Sequence, residues 1–112
     1  QDPGPLYAAA DLVACPSRIE PLGNVVLEAW ARSKPIVAAA SDGPVELIRD
    51  GENGLLVALE DADAMAAAIN YILANKAGAQ SLAAVGYRDY QADYAEAVVV
   101  QRYLDFFAKV AA

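Results

Sequence analysis

The sequence predicts an α/β fold, a doubly wound parallel sheet followed by C-terminal helices, on three observations. Three short apolar runs, "DLVAC" (11–15), "PIVAAA" (35–40) and "GLLVA" (54–58), have strand length and no polar–apolar alternation. Such runs suit parallel strands buried on both faces. Helical segments stand between them, and strand–helix–strand–helix–strand is the grammar of a sheet with right-handed crossovers. Beyond residue 61 the pattern is helical throughout.

The first helix is expected from about Gly23 to Ser33, stopped by Pro35, because the residue before a proline avoids helical geometry. A short helix is expected from Pro44 to about Ile48, with proline in the first turn, where its missing N–H costs nothing. "DGENG" (50–54) is a turn signal before the third strand. Asp61 is a natural N-cap for "ADAMAAAINYILAN", in which Met65, Ile69, Ile72 and Leu73 share a face. "QSLAAVGYRDYQADY" (80–94) reads as a weaker helix interrupted by Gly86. In "AEAVVVQRYLDFFAKV", Val99, Tyr103, Phe106 and Val110 fall at helical spacing and predict a docking face. No repeat, low-complexity tract or linker is visible.

A chain of 112 residues makes one small domain. At 57% apolar and 21% charged it is globular, although alanine supplies much of the apolar share. Eight basic residues stand against fifteen acidic ones, and a net charge of −7 argues against nucleic acid and membrane-surface partners. The single cysteine, Cys15, lies in an apolar run, which predicts a buried thiol and a reducing compartment. No apolar stretch approaches the roughly 20 residues of a membrane span, and no signal peptide is visible. Histidine is absent, which removes the commonest general base and metal ligand; no metal site and no cofactor are expected. The chain begins without methionine, and "DLVAC" has no upstream strand to pair with. If the three runs are the fourth to sixth strands of the common doubly wound order, a missing first half would cover the bare edge. Half of a domain is therefore expected.

The stretch "SRIEPLGNVVLEAW" (17–30) carries the chemistry. A strand ends at Cys15, a loop follows at its carboxyl end, and a helix starts near Gly23. In open α/β sheets ligands bind in the crevice beyond the strand ends. Gly23 lacks a Cβ, so a bulky group can approach the free N–H groups of residues 23 to 25, and the helix dipole adds an anion site. Glu28 lies about 7 Å further along the helix axis at ~1.5 Å per residue, and Glu20 precedes the helix on the loop. An anion at the helix start would have a carboxylate on either side. A nucleotide-sugar has that layout: carboxylates accept from vicinal hydroxyls while backbone N–H groups hold phosphates. An ordinary reading stands beside it. Glu28 and Arg32 are an i, i+4 pair worth ~0.3–0.5 kcal/mol, Asn24 shares their face, and spacing alone allows a solvated polar stripe.

Several motifs in order carry a resemblance: a serine-bearing loop, E-x7-E across a Pro-hydrophobic-Gly turn, a helix ending before x-P-hydrophobic-V, then G-P-x-E-L-I and N-G-L-L-V. The chain resembles the C-terminal, donor-binding part of family 4 retaining glycosyltransferases of the GT-B fold, densely over 11–75 and loosely over the helical tail, 76–112. The resemblance implies a Rossmann-like sheet and a partial nucleotide-sugar-binding domain over 1–112. It places Glu20 at the hydroxyls of the donor sugar near the anomeric centre, as the catalytic residue. It places Gly23 and Asn24 at the diphosphate and Glu28 at the ribose hydroxyls. Leu22 stands where phenylalanine is common. Ser17 and Arg18 match the loop before the first glutamate; a residue such as Arg18 is more often a solvated loop cation than a phosphate ligand. Gly43 and Glu46 match the later G-P-x-E element, where a turn and a structural acid are the alternative.

The implied reaction moves a hexosyl group from a nucleoside diphosphate sugar to an acceptor hydroxyl with retention. Lipopolysaccharide or exopolysaccharide assembly is the expected setting, with a glycan or lipid-linked acceptor. The implied location is cytoplasmic, with peripheral contact to the inner membrane through the missing part. The other partners are the missing N-terminal half and, for the isolated piece, itself. The fragment alone is expected to be inactive. A sugar-nucleotide epimerase of the same architecture is a rival, but it need not keep E-x7-E or N-G-L-L-V. A non-catalytic α/β interaction module is another, and should bind no nucleotide. A receiver-like module, suggested by Lys34-Pro35, expects that pair after a late strand, whereas here it precedes one.

Overall fold

A computed structural model describes residues 10–18 and 23–111. Its elements run β1 (Val13–Cys15), α1 (Asn24–Ala31), β2 (Ile36–Ala39), α2 (Asp42–Leu47), β3 (Leu55–Val57), α3 (Ala62–Ala74), α4 (Lys76–Asp93) and α5 (Glu96–Ala111). The strands form one parallel sheet in the order β1-β2-β3, with Val13 opposite Ile36 and Val37 opposite Leu55. Among the described residues β1 pairs on one side only.

Alternate residues of the strands serve different faces, as the pleat requires. Val13, Cys15, Ile36, Ala38 and Leu56 pack with Val26, Ala29 and Trp30 of α1. Val37, Leu55 and Val57 pack on the other face with Met65, Ile69 and Ile72 of α3. Both faces are thus covered, which explains the unbroken apolar run 36–39, buried throughout. Cys15 is a buried free thiol, as expected.

Asp61 caps α3 as predicted, its carboxylate accepting from the Ala64 N–H at 2.9 Å. Leu73 departs from the predicted face and is largely exposed. At 100° per residue it stands one step round the helix from Ile72, on the solvent side of the apolar stripe. The second helix begins at Asp42, two residues earlier than predicted, with Ser41 as its N-cap residue and Pro44 still in its first turn. The largest correction concerns Gly86. It does not interrupt a helix; α4 runs unbroken through it. A Cβ at Gly86 would lie 2.3 Å from Trp30 Cδ1, so the glycine admits the indole against the helix backbone.

α5 is tied back to α4 by Arg102, whose Nη2 donates to Asp93 Oδ1 at 2.8 Å. The face predicted to dock meets no cover among the described residues. Tyr103 and Phe106 are 62% and 60% exposed, and Val99 is exposed as well. The side chain of Val110 lies outside the described residues.

Candidate functional site at the carboxyl edge of the sheet

Gly23 sits immediately before α1 with φ 66 and ψ 25, a left-handed conformation that side-chain-bearing residues rarely adopt. A Cβ there would meet Leu47 Cδ1 at 2.5 Å and the carbonyl carbon and oxygen of Gly43 at 3.3 Å. Two separate sequence elements, the turn before the first helix and the G-P-x-E segment, are therefore pressed together backbone to backbone. Gly43 and Pro44 are buried at this contact, while Glu46 stands exposed on α2. Among the described residues no side chain caps the start of α1, which leaves its first N–H groups without a local side-chain acceptor there.

Asn24 and Glu28 are exposed on the outer face of α1 and line one groove of about 340 Å³ with Leu27, Arg32, Tyr90 and Tyr94. Tyr94 lies near Trp30, ring centroids 6.3 Å apart. Local spacing does not reveal these tyrosines, because they come from the far end of α4. A second, mainly apolar groove of about 390 Å³ opens at the strand ends, between Pro16, Ala39, Val57 and the first turns of α3. Ser17, the next residue along the chain from Pro16, is half-buried. Arg18 is an exposed loop cation whose Nε is 2.7 Å from Glu60 Oε1. Glu60 holds a left-handed conformation, φ 58, in the connection between β3 and α3. Glu20 and Leu22 lie outside the described residues. Ser41, between β2 and α2, is buried, and its hydroxyl has no hydrogen-bond partner among the described residues.

Behind α1 a polar knot fixes the helix. Trp30 Nε1 donates to the Asn53 carbonyl at 2.9 Å. Asn53 is 1% exposed; its Oδ1 accepts from the Arg49 N–H at 2.8 Å and its Nδ2 donates to Asp89 Oδ2 at 2.9 Å. Arg49 Nη2 donates to the same carboxylate oxygen at 2.8 Å. Burial pushes the Asp89 carboxyl up, but the Asn53 amide and the Arg49 guanidinium outweigh it and hold the group below the usual carboxylate value. The asparagine read as a turn residue is thus also the anchor for α1, α4 and the 49–54 turn.

Comparison with known proteins bears on the whole arrangement. The family profile described as glycosyl transferases group 1 matches residues 1–75. The chain belongs to this family. Among curated glycosyltransferases, the chain is 39% identical over 107 residues to the lipopolysaccharide core biosynthesis glycosyltransferase LpsE of Rhizobium meliloti, covering 96% of this chain and 32% of LpsE. Among solved glycosyltransferase structures, Anabaena HepE in complex with UDP-glucose superposes with a TM-score of 0.85 at 30% identity, over 93% of this chain and 29% of HepE. Sucrose-phosphate synthase from Thermosynechococcus elongatus superposes at 0.83 with 37% identity, over 95% of this chain and 27% of that enzyme. The chain therefore spans about a third of the length of the glycosyltransferases it matches. The α/β sheet and its helices are those of a GT-B glycosyltransferase, as the motifs predicted. Among the described residues no helix is long and apolar enough to cross a membrane.

Proposed function

We propose that residues 1–112 form part of the donor domain of a retaining glycosyltransferase that binds a nucleoside diphosphate sugar. One observation carries the reading. The left-handed Gly23 packs on Gly43 at the uncapped start of α1, with Asn24 and Glu28 following on the exposed face of that helix. Backbone N–H groups and the positive end of the helix dipole suit a diphosphate. In this reading Gly23 and Asn24 hold the diphosphate, Glu28 accepts from the ribose hydroxyls, and Glu20 acts at the transferred sugar. Ser17, Gly43 and Glu46 are further candidate donor contacts, and the family resemblance adds Leu22. The acceptor hydroxyl attacks the anomeric carbon, the bond to the diphosphate breaks, and the departing phosphate oxygen takes the acceptor proton. The protein contributes positioning and charge stabilisation, and no histidine is required.

The likeness to LpsE, and to HepE with its bound UDP-glucose, supports a hexosyl donor and a glycan or lipid-linked acceptor in lipopolysaccharide or exopolysaccharide assembly. A cytoplasmic location suits such a donor. A thermal-shift panel of UDP-, GDP- and ADP-sugars on the full-length enzyme tests the reading, with Glu28→Gln and Glu20→Gln beside the wild type. Glu28→Gln should raise KM for the donor, because a ribose contact exists in ground and transition states alike; Glu20→Gln should lower kcat more than affinity. Unchanged kinetics in both variants would return Glu28 to a solvated stripe.

A further inference from the structure

The pairing of Arg18 with Glu60 is unlike the other exposed ion pairs in its position. Arg18 follows β1 and Glu60 follows β3, and β2 lies between those strands. Adjacent strands are about 4.8 Å apart, so the pair spans roughly 10 Å across the end of β2. Glu60 lines the groove at the strand ends together with Pro16, Ala39 and Val57, and ligands of open α/β sheets bind beyond such ends. Arg18 is on the same connection that leads to Gly23 and the start of α1. Both side chains are open to water, 75% for Arg18 and 59% for Glu60, so the pair is weakly held and readily exchanged. Glu60 is nonetheless well placed to compete, because its backbone is set in a left-handed turn directly before the Asp61 cap of α3.

We propose that Arg18 is a further diphosphate-binding residue of this site and that Glu60 is its built-in competitor, pairing with the guanidinium when no diphosphate is bound. This rests on the donor-domain reading above. A guanidinium binds phosphate oxygens through a planar fork of donors, and a diphosphate offers more negative charge than one carboxylate. Binding the diphosphate then transfers Arg18 from Glu60 to the ligand, and the displaced carboxylate returns to water. Ligands that lack the diphosphate leave the pair in place, so the exchange favours nucleoside diphosphates over nucleosides and free sugars.

Isothermal titration of UDP, GDP and ADP into the full-length enzyme tests this, with whichever the wild type binds carried into the variants. Glu60→Gln should tighten binding about two- to fivefold, the range open to an exposed pair. Structural damage does not produce a gain in affinity. Arg18→Gln should weaken binding, and in that background Glu60→Gln should have lost most of its effect. A Glu60→Gln variant that binds no more tightly overturns the proposal. The same gain with and without Arg18 also overturns it, since Glu60 would then act only as a nearby charge. A wild type that binds none of the three nucleotides overturns the donor-domain reading itself, and this inference with it.

Discussion

Gly86 sets two residue-level effects against each other. In an ordinary helix interior alanine is better than glycine by about 1 kcal/mol, which would make Gly86→Ala stabilising. Here the new Cβ would lie 2.3 Å from Trp30 Cδ1 and 2.5 Å from Nε1, and overpacking a filled core costs about 1–3 kcal/mol. The indole cannot swing away without breaking its hydrogen bond to the Asn53 carbonyl. The clash should win. Gly86→Ala is expected to lower the melting temperature of the full-length enzyme, and a rise would show that Trp30 has room to move. Gly23 is constrained twice over, by its positive φ and by the backbone of Gly43.

At the level of elements, the question is what holds α1 at the crevice. Its inner face packs through Val26, Ala29 and Trp30, and its position is fixed laterally by the knot of Asn53, Arg49 and Asp89. The Asp89 carboxyl is held below its usual value of about 3.8, so its contribution is present above that pH and lost as pH falls through the depressed folded value. Asp89→Asn should therefore cost about 1 kcal/mol near neutrality, a charged hydrogen bond discounted for the exposure of Arg49. The difference from wild type should begin to shrink at about pH 4, as the unfolded carboxylate protonates, and close as pH falls through the lower folded value. Melting curves of the full-length enzyme between pH 7 and 3 would check this, and a gap that stays constant with pH would refute the electrostatic account.

For the whole molecule, the surfaces left open are apolar and adjoin no described element. α5 exposes Tyr103, Leu104, Phe106 and Phe107, each more than half. The aromatic rings contact one another, Tyr103 stacked on Phe107 at 6.4 Å and Phe106 edge-on to Phe107 at 5.8 Å. β1 adds an unpaired strand edge among the described residues. The 112 residues in isolation should self-associate or fold only beside a second chain that covers these faces. Light scattering on the purified piece decides: a monomer with a cooperative melt would show the open faces to be harmless.

Local signals were sufficient for the order of the elements. The apolar runs marked every strand, Asp61 marked the start of α3, and Pro35 marked the passage from α1 into β2, because caps, proline and burial on both faces act over a few neighbouring residues. The same local chemistry singled out Gly23, Asn24 and Glu28 as one helix start. What it could not contain were pairings between distant residues. Gly23 against Gly43, Trp30 against Gly86, Asn53 against Asp89 and Arg18 against Glu60 all depend on how layers stack and how loops converge at one end of the sheet. Gly86 read as a helix breaker because propensity describes a helix alone, and only the packed indole shows why the glycine is needed. Glu60 gave no sequence signal because an exposed acid in a turn is common, and its significance comes entirely from the strand order that brings it to Arg18.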